Sequence, residues 1–166
     1  MDDMQKRMQE MMKRQWTQKV KMHSMLNKMA KKGQIVFAGS SLAENFPICE
    51  MLQNLDKRYI VYNRGIGGDV TTGMLERMDT TIFQLEPSKV FINIGTNDIS
   101  RPGYQRETLL ANYRETLRQI RDRLPDTTVY VMSFYPVNRE LSSIDPEMVA
   151  NMFGARTNEE LKAVNA

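Results

Sequence analysis

The sequence predicts an α/β protein built on a parallel sheet with helices on both faces. Two observations carry this expectation. Four short apolar runs, at 35–38, 59–62, 90–94 and 128–132, each stop at a small or polar residue: Gly39, Asn63, Gly95 and Ser133. They are continuous, not alternating, as in strands buried on both faces. Stretches of helical periodicity separate them, and strand–helix–strand units of this spacing close as right-handed crossovers.

The elements follow in order. Residues 1–32 hold no proline or glycine, and Met4, Met8, Met11, Met12, Trp16, Met25, Leu26 and Met29 recur at roughly helical spacing. The expectation is one long amphipathic helix ending at Gly33 as its C-cap. Residues 71–85 carry Met74, Leu75, Met78, Ile82 and Leu85, and residues 105–124 carry Leu109, Leu110, Tyr113, Leu117, Ile120 and Leu124. Both show i, i+3, i+4 recurrence and are followed by Pro87 and Pro125. Asp145-Pro146-Glu147 opens a final helix, with Asp145 as N-cap and proline at the first position. No linker or repeat divides the chain, so 166 residues are read as one domain at 34–166 preceded by the helix at 1–33.

Composition narrows the class. No apolar run approaches the roughly 18–20 residues of a membrane span, and no secretory apolar core is visible, although a mature form stripped of its signal would look the same. Cys49 is the single cysteine, so no internal disulfide forms and a reducing, cytoplasmic setting is expected. No Cys/His cluster has metal spacing, and neither metal nor cofactor is expected. The pI near 9.0 is a property of one segment. Residues 1–32 hold nine Lys/Arg against three Asp/Glu, whereas the remainder holds 14 against 17. A mildly acidic body argues against a nucleic-acid partner. The basic helix is instead a candidate contact for a second copy or another partner.

In open parallel sheets, ligands sit beyond the carboxyl ends of the strands. Small and polar groups from four loops meet at that edge: Gly39-Ser40-Ser41-Leu42, Gly65-Ile66-Gly67-Gly68-Asp69, Gly95-Thr96-Asn97-Asp98 and Ser133-Phe134-Tyr135-Pro136-Val137. Acyl transfer needs such an arrangement, with a hydroxyl nucleophile ringed by fixed N–H donors. Taken singly, each segment reads as a turn. Gly65-x-Gly67-Gly68 is not a dinucleotide loop, because Val70 replaces the third glycine and the segment follows the second strand.

In this order the segments resemble the SGNH (GDSL-like) hydrolase family over residues 34 to about 140. Gly39-Ser40-Ser41-Leu42 stands for the family's Gly-Asp-Ser-Leu block, Gly68 for its second-block glycine, and Gly95-Thr96-Asn97-Asp98 for its Gly-x-Asn-Asp block. The resemblance implies a flavodoxin-like three-layer α/β/α fold, Ser41 as nucleophile, and the N–H of Ser41, the N–H of Gly68 and the side chain of Asn97 as oxyanion donors. Gly39, Ser40 and Asp98 support the loops. The implied reaction is hydrolysis of a small-molecule ester, on a short acyl lipid or an acetylated carbohydrate, through an acyl-enzyme on Ser41.

Two departures stand out. Ser40 occupies the position of the block's aspartate. The family's Asp-x-x-His block is absent, and the one histidine, His23, precedes the first strand. The expectation is that the natural protein continues past Ala166 with Asp-x-x-His. The alternatives are an inactive family member, or a binding module for acyl, sugar or phosphate ligands, and a site completed by another chain.

Overall fold

A computed structural model of the protein describes residues 3–140 and 144–166. Its elements are α1 (Asp3–Asn27), β1 (Ile35–Gly39), α2 (Ser41–Glu44), α3 (Ile48–Asn54), β2 (Val61–Gly65), α4 (Thr71–Glu76), α5 (Met78–Thr81), a 3₁₀ turn (Phe83–Leu85), β3 (Lys89–Asn93), α6 (Thr96–Ser100), α7 (Arg106–Arg123), β4 (Thr128–Val131), α8 (Pro146–Phe153) and α9 (Asn158–Asn165). The four strands form one parallel sheet in the order β2-β1-β3-β4. The order reverses direction at β1, and β1 lies between β2 and β3. The loops after these three strands therefore open side by side at the carboxyl edge.

Alternation along the strands selects the core. Val36 and Ala38 of β1 and Val90 and Ile92 of β3 are fully buried against Met74, Met78, Ile82, Leu85 and Ile120. Each large side chain removed from water in this way contributes about 1.5–3 kcal/mol. The opposite face carries a stacked row, Phe46–Phe37–Phe91–Tyr130, with ring centroids 5.8, 4.8 and 4.6 Å apart. Phe37 and Phe91 are half-buried and Phe46 and Tyr130 exposed, so one face is packed and the other is half open among the described residues. Continuous apolar runs had implied equal burial of both faces. Here the second face is filled by aromatic rings stacking on each other along the sheet.

Helix boundaries depart from the expectation in three places. The first helix ends at Asn27, six residues before Gly33; residues 1 and 2 lie outside the described residues. The amides of Lys28, Met29 and Ala30 bond carbonyls three residues back, which tightens and ends the helix. Asn27 turns inward, donating to Thr80 O and accepting from Arg64. The expected helix at 71–85 is broken at Arg77 (φ −112°, ψ 15°), which reaches into the sheet edge, and again at Ile82 (φ −127°, ψ −58°), giving α4, α5 and the 3₁₀ turn. The final helix is two, α8 and α9, divided at Gly154 (φ +53°). A side chain there is barred twice, by that positive φ and by Ser100 O, 2.4 Å from where a Cβ would sit. Asp145 does cap α8, accepting from the amides of Glu147 and Met148. No helix among the described residues is long and apolar enough to cross a membrane.

Candidate active site at the carboxyl edge

Ser41 is the first residue of α2, immediately beyond β1. Gly39 is required there: a Cβ would sit 2.1 Å from Asn93 O, so only glycine lets β1 and β3 end together. Ser40 is tied on both sides, its N–H donating to Asn93 O at 3.1 Å and its carbonyl accepting from Glu44 N at 2.9 Å. Its Oγ is buried without a hydrogen-bond partner among the described residues. Ser41 itself is half-buried. As a first-turn residue it has no intrahelical acceptor for its N–H, which stays available to a ligand.

The loop after β2 folds over this turn. Gly67 N–H donates to Glu44 Oε2 at 2.7 Å, and Glu44 in turn is ion-paired with Lys19 of α1. The Cβ position of Gly67 lies 3.9 Å from Ser41 Cβ, which makes the two segments immediate neighbours. Gly68 adopts φ +75°, a left-handed conformation that favours glycine. The turn is closed by Asp69 N–H to Ile66 O at 3.2 Å, and Arg101 donates to Gly68 O at 3.0 Å. No acceptor is recorded for Gly68 N–H among the described residues.

Asn97 lies in the first turn of α6, beyond β3. Its Nδ2 donates to Asp69 O at 2.8 Å. A primary amide carries two N–H bonds, so one is spent on orientation and the other is left for a substrate. Asp98 anchors the same turn, accepting from Thr71 N–H at 3.1 Å and Thr71 Oγ1 at 2.5 Å. Burial pushes its carboxyl pKa up, and the Thr71 hydrogen bonds oppose that shift. Ser41, Gly68 and Asn97 thus stand on three adjoining loops at one edge, linked through Glu44, Asp69 and Asp98.

A buried ion pair beneath these loops was not singled out from the sequence. Arg77 and Asp69 side chains are 1% and 2% exposed, with Nε to Oδ2 at 2.6 Å. Arg77 also donates to Arg64 O, Thr81 Oγ1 and Gly39 O. Asp69 Oδ1 accepts from Val70 N–H and from Trp16 Nε1, each at 3.0 Å. One guanidinium therefore fastens the ends of β1 and β2 to the glycine loop, and one carboxylate fastens that loop to α1. Burial lowers the Arg77 pKa and Asp69 raises it again. The available signal was a charge between Met74 and Met78 on an apolar helical stripe.

His23 is buried at 6% exposure in α1, four residues beyond Lys19, and its Nδ1 has no partner among the described residues. Desolvation, then Arg64 and Arg77, lower its pKa from 6.5 to about 4. A cavity of about 360 Å³ opens beside Gly67 and Gly68, walled by Met12 and Trp16 of α1 and by Ile66, Val70 and Arg101.

Comparisons with known proteins define the class. The model of the GDSL-like Lipase/Acylhydrolase family matches residues 37–166, and the chain belongs to that family. Platelet-activating factor acetylhydrolase IB subunit alpha1 from Bos taurus is 28% identical over 107 residues, 64% of this chain and 45% of the relative; the Homo sapiens protein gives the same figures. The chain thus spans about half the length of the curated relatives it matches. Among solved structures, a Streptococcus pneumonia protein provisionally described as a platelet activating factor superposes with TM-score 0.81 at 23% identity, covering 99% of this chain and 73% of that one. A GDSL-like lipase from Bacteroides thetaiotaomicron gives TM-score 0.67 at 19% identity, with 88% and 69% covered. At these identities the likeness is one of fold.

Proposed function

We propose that this protein is a serine esterase in which Ser41 is the nucleophile and Ser41 N–H, Gly68 N–H and Asn97 Nδ2 hold the oxyanion. The observation that carries the reading is the Asn97 amide. It is held by Asp69 O on the loop that also presents Gly68, beside Ser41, with one N–H uncommitted. Preorganised donors of this kind stabilise charge that develops only in the transition state.

The Ser41 oxygen attacks the ester carbonyl, its proton passes to a base, and the alcohol leaves as the acyl-enzyme forms. Water then attacks the acyl-enzyme, releasing the acid and restoring Ser41. The reading assigns that base to a histidine of the family's Asp-x-x-His block, which residues 1–166 do not contain. His23, the one histidine here, is a buried residue of α1, and burial first, then Arg64 and Arg77, make it a weak base, with Glu44 opposing. The substrate class is a short acyl ester, on a lipid or a carbohydrate, in line with the acetylhydrolases and the acetyl xylan esterase AlAXEase among similar proteins.

The test is turnover of p-nitrophenyl acetate by the full-length natural protein. Ser41→Ala abolishes it and His23→Ala leaves it within about twofold. Undiminished turnover in Ser41→Ala overturns the reading.

A further inference from the structure

We infer that the amino-terminal helix supplies a wall of the acyl pocket, with Met12 as the residue that limits acyl chain length. This rests on the esterase reading of Ser41 and Gly68. The cavity beside Gly68 lies between the glycine loop and α1. Met12 Cε comes within 3.5 Å of where a Cβ on Gly68 would stand, so the methionine methyl lies against the Gly68 backbone. The Trp16 ring, Ile66 and Val70 add further apolar surface, and Lys13, Gln15, Lys19, Thr72, Glu76 and Arg101 form its polar rim.

The helix is not loosely apposed. Trp16 Nε1 is bonded to Asp69, and Lys19 pairs with Glu44, whose other oxygen accepts from Gly67 N–H. Two independent links therefore fix α1 to the loop that carries Gly68. In this proposal the acyl chain of an ester held at Gly68 N–H runs into this cavity toward Met12. A methionine is an adaptable apolar stop, and it is 44% exposed, so replacing it costs the fold little.

The experiment varies Met12 in the full-length protein and measures kcat/KM for p-nitrophenyl acetate, butyrate, hexanoate and octanoate. Each methylene in an apolar pocket is worth roughly 10–200-fold when enclosed, and less at an open cavity. Met12→Ala is expected to raise the hexanoate-to-acetate ratio about 5–10-fold, and Met12→Phe to lower it by a similar factor. A parallel series keeps the acetyl group and lengthens the alcohol. Trp16, the sole tryptophan, provides a readout that needs no turnover. Its fluorescence is titrated with 1,1,1-trifluoro-2-octanone in the parent and in Ser41→Ala.

Saturable fluorescence change in both proteins, with acyl preference tracking Met12, supports the inference. An unmoved acyl profile, or one that moves only in the alcohol series, overturns it. Absence of any saturable change in the parent and in Ser41→Ala overturns it even if esters are cleaved. Saturation without ester turnover in the parent refutes the esterase reading while leaving an apolar site beneath α1.

Discussion

Replacing Arg77 by methionine removes the fastening beneath the site while keeping an unbranched chain of similar length. The wild-type guanidinium is 1% exposed and meets Asp69, Arg64 O, Thr81 Oγ1 and Gly39 O. Without it, the Asp69 carboxylate stays buried with only Val70 N–H and Trp16 Nε1 as donors. Breaking one side of a buried pair costs about 3–5 kcal/mol, because the remaining charge is uncompensated. The two carbonyls left without Arg77 add about 1 kcal/mol each. With a urea slope of about 1–3 kcal/mol per molar, the unfolding midpoint should fall by about 2 M or more. Urea unfolding followed by far-ultraviolet circular dichroism measures this directly. Pairing Arg77→Met with Asp69→Leu removes both charges and should recover much of the loss, since a buried pair replaced as a unit is close to neutral. A loss below about 1 kcal/mol for Arg77→Met, or a double variant less stable than the single one, would refute the claim that this pair fastens the strand ends.

Other expectations are simpler to check. Because folding depresses the His23 pKa from 6.5 to about 4, the unfolded chain takes up a proton first as pH falls. Stability from the buried neutral imidazole is therefore complete above pH 6.5 and is lost between about 6.5 and 4; His23→Leu should flatten that window in thermal unfolding. Asn97→Ala should lower kcat of the full-length protein by about 10²–10³ with little change in stability. Trp16→Phe removes one hydrogen bond to the Asp69 carboxylate and should cost about 1.5 kcal/mol in urea unfolding, with near-wild-type structure.

The sheet was legible because its strands are short apolar runs that stop at Gly39, Asn63, Gly95 and Ser133, although β2 begins at Val61 and runs on through Asn63 and Arg64 to Gly65. The placing of Ser41, Gly68 and Asn97 at one edge followed from strand order alone, since loops after parallel strands share an edge. What sequence could not give was the wiring between them. Helical periodicity reads straight through Arg77, whose pull toward Asp69 breaks the helix. Trp16 looks like one more apolar residue on a methionine stripe, and only its indole N–H on Asp69 shows that α1 is bound to the glycine loop. Gly33 looked like a helix cap, but the helix had already ended where Asn27 turned inward to Thr80 and Arg64. The contacts of Trp16 and Asn27 cross more than 35 residues of sequence, and the pair that accompanies the break at Arg77 crosses eight.

The central claim is that Ser41 is the nucleophile served by Gly68 and Asn97. Its most direct test is fluorophosphonate labelling of the full-length protein followed by peptide mass mapping. The account predicts a single adduct on Ser41, absent in Ser41→Ala and formed more slowly in Asn97→Ala, whose oxyanion donor is gone. An adduct on another residue, or labelling undiminished in Ser41→Ala, would contradict it.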